Sequence, residues 1–166
     1  EEATEAVPAK AKRETLRIVS IKGDGRCMFR AIVQGLALVK GKKLFSSDEE
    51  KQADLLRMAV AETICASAER REKYPEALMA IKSEDTLPNY CQRVVQNTFW
   101  GGEAELLVIS RMLKQPITVY MKSNKLGEGF RPIQEYGTSY AAKKATVKLL
   151  YNGSNHYELL VKRGRL

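Results

Sequence analysis

Cysteine is scarce in this sequence, with three residues among 166. Cys27, Cys65 and Cys91 lie far apart and are odd in number, and no spacing between them is that of a zinc ribbon or a redox pair. A chain of this length buries roughly 70% of the surface that its unfolded form exposes, so it can complete a core without disulfides or metal. We therefore predict a reducing, intracellular environment, no structural metal and no cofactor.

Long apolar runs are also absent: no stretch of about 18 hydrophobic residues occurs, which excludes a transmembrane helix. The first residue is glutamate rather than methionine, so we expect an excised or processed chain. We predict a cytoplasmic location, with the nucleus as the alternative. Residues 1–14 are Glu, Ala, Lys and Pro without apolar periodicity, which predicts a flexible lead before a single domain at 15–166.

Aromatic residues make up only 7% of the chain, and this bears on the meaning of its net charge of +8. Basic proteins are candidates for nucleic-acid binding because Lys and Arg neutralise phosphates. Here the basic residues are spread along the chain, with few aromatics between them to stack on bases. We expect a solvated surface, and an RNA-binding adaptor is the minor alternative. The basic clusters are Lys40, Lys42 and Lys43, then Lys143 and Lys144, then Lys162, Arg163 and Arg165.

The first part of the domain reads as a strand, a tight turn and a helix. Alternation predicts a strand over 16–21, and Gly23 and Gly25 end it. Apolar residues then recur at helical spacing over 28–39. Cys27 is therefore expected at a helix N-terminus.

The rest of the chain predicts more helices and then strands. Ser47 and Glu50 resemble a capping box at the start of a long amphipathic helix. The order of elements favours an α+β domain in which several helices pack beside a mixed sheet. The further predicted helices are 84–95 and 102–114, the second ended by Pro116, and the strands are 117–121, 147–151 and 157–161.

The chain has one histidine, His156, which lies 129 residues after Cys27. A thiol nucleophile needs a base within hydrogen-bond reach, and such partners are commonly distant in sequence. A helix N-terminus and an imidazolium both lower the pKa of a cysteine. Glycines before Cys27 permit positive φ, so amide N–H groups from Asp24 to Cys27 can converge on an oxyanion. Taken singly, Cys27 is as readily a small core residue and His156 a structural histidine.

Two acids compete for the role of orienting the imidazole. Strand alternation places Glu158 on the same face as His156. Asp24, three residues before Cys27, is the rival, and its structural role would be to accept backbone N–H bonds inside the turn. The residues alone leave both possibilities open.

Three segments resemble the ovarian tumour (OTU) family of cysteine proteases, which cleave ubiquitin or ubiquitin-like chains. GDGRCMFR at 23–30 is similar to the family's Asp-Gly-x-Cys-Leu-Phe nucleophile box, with Met28 in place of the more usual leucine. WGGEAEL at 100–106 is similar to its Trp-Gly-Gly-x-x-Glu-Leu segment, and NHY at 155–157 to its histidine strand. The resemblance covers about residues 16–162.

The resemblance implies a papain-like OTU fold and a role for each matched residue. Cys27 would be the nucleophile and His156 the general base and acid. Asp24 would lie in the loop that shapes the oxyanion hole, together with Gly25 and Arg26. Family members often carry Asp or Asn where this chain has a glutamate two residues after the histidine, so that glutamate, Glu158, is a possible third triad member.

The resemblance also implies the reaction and the partner. We expect hydrolysis at the C-terminal glycine of ubiquitin through a thioester, by a monomer that binds ubiquitin or polyubiquitin chains. We expect Trp100 to be a core aromatic and Glu105 a structural hydrogen-bond partner. The alternative within the family is a catalytically weak pseudoenzyme that binds ubiquitin.

Overall fold

The computed structural model describes residues 15–164; the predicted lead at 1–14 and Arg165 of the basic tail lie outside them. No helix within the described range is long and apolar enough to cross a membrane. The strands are β1 (Leu16–Val19), β2 (Ile117–Lys122), β3 (Phe130–Tyr136), β4 (Val147–Tyr151) and β5 (Tyr157–Lys162). The helices are α1 (Cys27–Val39), α2 (Ser46–Cys65), α3 (Ala68–Arg71), α4 (Pro75–Glu84), α5 (Leu87–Arg93) and α6 (Glu103–Met112), with a 3₁₀ turn at Thr138–Tyr140.

The strands form one mixed sheet in the order β1-β5-β4-β2-β3. β2 and β4 run parallel, and the other neighbouring strands are antiparallel. Helix α1 packs on β4 and β5. The predicted α+β architecture, a mixed sheet beside several helices, is confirmed. Because β5 lies between β1 and β4, the strand that follows His156 is held on both sides.

Helix α1 is the central helix, and every residue from 27 to 35 in it is buried. Gly35 permits its close approach to the sheet, because a side chain there would lie 2.7 Å from Val147 Cγ1 and 3.1 Å from Leu159 Cδ1. Phe29 and Ile32 are fully buried in the same core. Tight packing of this kind leaves little freedom in the position of Cys27, the first residue of the helix.

The predicted capping box of α2 is wrong. The helix begins at Ser46, Phe45 occupies the N-cap position, and no side chain caps the helix. The Glu50 carboxylate instead forms ion pairs with Arg30 at 3.2 Å and with Arg26 at 3.6 Å. Ion pairs with the first turn of α1 and with the residue before it thus take the carboxylate that a capping box would use.

Several elements were missed or merged. The helix predicted over 84–95 is α5 alone, separated from α4 where the Thr86 hydroxyl accepts a hydrogen bond from the Asn89 N–H. β3 was not predicted because its middle residues are exposed and Pro132 interrupts it. It pairs only with β2, at the sheet edge, where a proline is tolerated.

The spacing of the cysteines indicated no pair, but the structure contains a disulfide. Cys65, at the end of α2, and Cys91, in α5, form a disulfide across 26 residues of sequence. Cys27 is the one free cysteine, and it is buried. Sequence spacing could not show the pairing, because it is the packing of α5 against α2 that brings the two sulfurs together.

Candidate active site

The segment before α1 forms a tight loop that places Cys27 at the helix N-terminus, as predicted. The Asp24 N–H donates to the Lys22 carbonyl and the Cys27 N–H to the Asp24 carbonyl, each at 3.1 Å. The Cys27 side chain contacts the Asn155 carbonyl oxygen, with Sγ 3.8 Å away. The nucleophile loop, residues 22–27, therefore meets the segment that carries the histidine.

Asp24 acts as the internal anchor of this loop. Its carboxylate accepts hydrogen bonds from the buried Arg30 guanidinium, the shortest at 2.9 Å, and from the Arg26 backbone N–H at 3.0 Å. Burial disfavours its ionisation, but the hydrogen bonds from Arg30 and Arg26 outweigh burial and lower the pKa of Asp24 below its ordinary value. These contacts assign Asp24 the turn-holding role rather than contact with the imidazole.

The oxyanion loop differs from the expectation in two ways. Neither Gly23 nor Gly25 has positive φ. The N–H groups of Asp24, Arg26 and Cys27 all donate to acceptors inside the loop. Gly25 is needed for space instead: a Cβ there would overlap the Asn97 carbonyl oxygen and lie 3.0 Å from Thr98 Cα. Oxyanion stabilisation by Gly25 and Arg26 remains a prediction, and it requires these amides to be shared or released when substrate binds.

His156 follows a turn between β4 and β5 that one asparagine organises. The Asn152 side-chain oxygen accepts hydrogen bonds from the backbone N–H groups of Ser154, Asn155 and His156, at 2.9, 2.9 and 3.1 Å. The Asn152 N–H in turn donates to the His156 carbonyl. Asn152 therefore fixes the backbone from which the imidazole projects. Sequence reading identified the turn but not this role, although an asparagine at the start of a turn is the usual signal for it.

The imidazole of His156 lies against the nucleophile loop. A Cβ added to Gly23 would lie 3.9 Å from His156 Cε1 and 4.0 Å from Nδ1. Nδ1 is buried and has no hydrogen-bond partner among the described residues. An unpaired buried nitrogen beside the nucleophile loop is the kind of acceptor that a thiol proton requires.

The opposite nitrogen faces Glu158. His156 Nε2 lies 3.5 Å from Glu158 Oε1, and the Ser20 hydroxyl lies 3.5 Å from the same oxygen. The His156 and Glu158 side chains are each about one quarter exposed. Of the two acids left open by the sequence, Glu158 is the one in contact with the imidazole.

This division of roles predicts that Glu158→Gln lowers activity mainly by weakening stabilisation of the imidazolium, by about 10-fold or more. Asp24→Asn should instead reduce the free energy of unfolding, because it removes one of the three carboxylate charges paired with the buried Arg30. The measurements are kcat for both variants and urea unfolding of each. If Asp24→Asn lost activity without loss of stability while Glu158→Gln remained fully active, the two roles would be reversed.

The thiol itself is not activated in the resting structure. Burial raises the pKa of Cys27, and the Asp24 carboxylate adds to the rise, against hydrogen bonds from the Tyr157 and Met28 N–H groups. Burial thus opposes the lowering of the pKa that a helix N-terminus can provide. A raised pKa favours the protonated thiol, for which His156 is the base that the nucleophile loop contacts.

Trp100 is not the core aromatic that was predicted. It is 46% exposed and lines a groove beside the active site. The groove is bounded on its other side by Tyr151, which stacks on Tyr157 with ring centroids 4.7 Å apart, and by Asn155. The glycines next to Trp100 explain its position in part: a Cβ on Gly101 would lie 2.5 Å from Met28 Cε, so the chain runs close to α1 while the indole points out.

Glu105 has the structural role that was predicted. Its carboxylate accepts hydrogen bonds from the Tyr90 hydroxyl and the Gly102 N–H, both at 2.8 Å, and so caps α6. Burial raises its pKa from 4.5 to about 6. Because the folded pKa exceeds the unfolded one, this group's contribution to stability is complete below pH 4.5 and is lost as the pH rises through about 6.

Glu105→Gln should remove that part of the pH dependence, since glutamine keeps an acceptor for Gly102 and cannot ionise. The rise in the Glu105 pKa from 4.5 to about 6 corresponds to about 2 kcal/mol of unfolding free energy. Urea unfolding between pH 4 and 7, run on both proteins, measures it. Parallel curves for the two proteins over this range would show that Glu105 does not titrate as described.

Cys27, His156 and Glu158 together form one candidate active site. A buried thiol begins a helix, the loop before it packs against an imidazole, and a carboxylate contacts the other nitrogen of that imidazole. Such an arrangement defines a cysteine hydrolase of the papain-like kind. The comparisons with known proteins then identify the family. The model of the OTU-like cysteine proteases matches residues 22–157, and the chain belongs to that family.

Named relatives support the assignment. The chain is 48% identical to the OVARIAN TUMOR DOMAIN-containing deubiquitinating enzyme 3 of Arabidopsis thaliana, over 92% of this chain and 71% of that protein. It is 36% identical to enzyme 4 of the same series and organism, over 87% of this chain and 43% of that protein. The chain thus spans most of the first relative and less than half of the second.

Solved structures share the fold. The OTU domain of OTUD1 superposes with a TM-score of 0.65 at 16% identity, covering 89% of this chain and 86% of that one. An OTU deubiquitinase from Wolbachia pipientis wMel, solved bound to ubiquitin, gives 0.64 at 18% identity, covering 91% and 98%. At such identities the likeness shows the OTU fold.

Proposed function

We propose that the protein is a deubiquitinase that hydrolyses isopeptide or peptide bonds at the C-terminal glycine of ubiquitin. The observation that carries the proposal is the contact of the Cys27 loop with a histidine whose free Nδ1 faces it, in a chain 48% identical to a named deubiquitinating enzyme. Family membership alone does not specify activity, but an intact nucleophile and base do.

The geometry supports a two-step acyl transfer. His156 Nδ1 takes the proton of Cys27 as Sγ attacks the glycine carbonyl carbon, and the carbonyl oxygen becomes an oxyanion. The imidazolium, stabilised by Glu158, then gives its proton to the departing lysine amine, leaving a thioester. Water attacks the thioester with His156 again as base, and the ubiquitin carboxylate and the free thiol are released.

The groove beside the active site is the proposed path of the ubiquitin tail. Gly101 and Gly102 line it without side chains, which suits a Gly-Gly tail, and Glu103, which also lines it, is an exposed carboxylate that suits the arginines of that tail. Trp100 would cover the tail on one side. Aromatic walls of this kind hold an extended peptide without requiring a specific side chain.

The decisive experiment uses ubiquitin that carries a C-terminal thiol-reactive electrophile. We expect one adduct per protein, located on Cys27 by peptide mapping, and none with ubiquitin that lacks the electrophile. Cleavage of diubiquitin, with an activity proportional to the amount of Cys27 that the probe labels, would establish hydrolysis. A folded protein that gives neither adduct nor cleavage would refute the proposal.

A ubiquitin-binding protein of weak activity is the second candidate. The occupied N–H groups of Asp24, Arg26 and Cys27 favour it, because they leave these amides bonded within the loop rather than free to receive an oxyanion. Adduct formation without cleavage of diubiquitin would support this candidate over the first.

We propose that the protein acts as a monomer in the cytoplasm, or in the nucleus, where the Cys27 thiol remains reduced. The Cys65–Cys91 disulfide argues in the other direction, because such bonds are rare in reducing compartments. Alkylating the protein in intact cells and counting its free thiols distinguishes the two cases: three free thiols indicate a reducing location and one an oxidising location.

A further inference from the structure

Arg57 is a buried cation that bonds to backbone carbonyls. It projects from the middle of α2, is 2% exposed, and forms no ion pair with any carboxylate in the range 15–164. Nη2 donates to the Gly25 carbonyl at 2.9 Å, and Nη1 donates to the Phe99 carbonyl at 2.9 Å and the Val94 carbonyl at 3.2 Å. The guanidinium also lies over the Phe29 ring, with Cζ 4.6 Å from its centroid.

A charge in this position is costly to the fold. Moving a guanidinium out of water is repaid only where its donors are satisfied, and Nε has no partner among the described residues. Burial accordingly lowers the pKa of Arg57. An apolar side chain would avoid burying a charge but would leave three carbonyls without this donor, so holding those carbonyls together is what the guanidinium supplies.

One of those carbonyls belongs to the peptide that precedes the nucleophile. In the Gly25–Arg26 peptide unit, the Gly25 carbonyl accepts a hydrogen bond from Arg57 at 2.9 Å. The Arg26 N–H of the same unit donates to the Asp24 carboxylate at 3.0 Å. The unit is held from both sides and cannot rotate without losing one bond. Rotation would move the backbone that leads into Cys27.

The other two carbonyls belong to the segment 94–99, which packs on the same loop. Gly25 lies so close to Asn97 and Thr98 that no side chain fits between them. Arg57 is the group bonded both to this segment and to the loop. It therefore joins the two surfaces directly behind Cys27.

We propose that Arg57 is a positioning residue for the hydrolysis: it fixes the Gly25–Arg26 peptide and, with it, the position from which the Cys27 thiol attacks the scissile carbonyl. The inference rests on the proposed function for its substrate. It assigns Arg57 an effect on the transition state rather than on ubiquitin binding, since it is buried away from the surface on which ubiquitin would dock.

The test compares Arg57→Lys and Arg57→Gln with Arg71→Lys. Arg71 is the matched control because its Nε also donates to a backbone carbonyl, that of Ile64, at 2.8 Å. Lysine at 57 keeps the charge but cannot span three carbonyls. We expect kcat of both Arg57 variants on a fluorogenic ubiquitin amide to fall by about 10²-fold, with KM within about threefold. Arg71→Lys should keep the kcat of the unmodified protein.

A second readout makes the test independent of ubiquitin. For each protein, the rate at which chloroacetamide alkylates Cys27 is measured from pH 6 to 10. Each kcat is divided by the concentration of active sites, which is found by titration with the ubiquitin electrophile. A shifted alkylation profile in the Arg57 variants but not in Arg71→Lys supports the proposal, even if no protein cleaves ubiquitin. The absence of cleavage would refute only the proposed function. Unchanged kcat and alkylation profile in folded Arg57 variants would overturn the proposal, as would failure of both variants to fold at 10 °C, since Arg57 would then be purely structural.

Discussion

Cys27→Ala should reduce ubiquitin cleavage to the uncatalysed background, a loss of at least about 10⁴-fold. No other side chain can replace the thiol, because the remaining cysteines are joined in a disulfide at the far end of α2. The melting temperature should change little, since removing one sulfur atom from the start of α1 leaves the packing of Phe29 and Ile32 in place. Turnover of diubiquitin and thermal unfolding measure the two effects.

His156→Ala should cause a loss of similar size, and the double variant should be no worse than either single one, because a thiol that keeps its proton is as inert as alanine. Cys65→Ser is the control: it removes a sulfur and the disulfide, so it should lower stability without lowering kcat at a temperature where the protein is folded. A Cys27→Ala protein that still cleaved ubiquitin would show that the nucleophile lies elsewhere.

Much of the site could be predicted because its signals are local. A glycine-rich turn before a helical pattern placed Cys27 at a helix N-terminus, and strand alternation placed Glu158 beside His156. Both follow from the periodicity of the backbone, which tertiary packing did not alter here. The α+β architecture followed in the same way from the order of elements, although the exposed strand β3 left no apolar alternation to recognise.

The errors share a different cause, which is that packing between distant segments decides them. The pairing of Cys65 with Cys91 and the exposure of Trp100 each depend on which segment covers the residue. No local pattern records that contact. Gly25 is the clearest example: its sequence context suggested a need for positive φ, whereas the structure requires only that no side chain be there.

Gly25→Ala should therefore disable the protein through sterics. The added methyl group would overlap the Asn97 carbonyl oxygen, and because the neighbouring atoms of Thr98 are also backbone, no side-chain rotation can relieve it. The loop must shift, which moves the peptide bonded to Arg57 and with it the N–H groups before Cys27. We expect kcat to fall by about 10²–10³-fold, as when an oxyanion donor is lost, and the free energy of unfolding to fall by about 1–3 kcal/mol.

Gly23→Ala is the matched control in the same loop. Its methyl group would lie 3.9 Å from His156 Cε1, an ordinary contact distance, and the φ angle at Gly23 is not one that alanine avoids. Its kcat should stay within about tenfold of the unmodified protein, and its stability within about 0.5 kcal/mol. Equal losses in the two variants would mean that the loop responds to any added methyl group, and the specific role of the 94–99 segment behind Gly25 would be refuted. Unequal losses, large only at Gly25, would establish that this segment sets the position of the nucleophile loop.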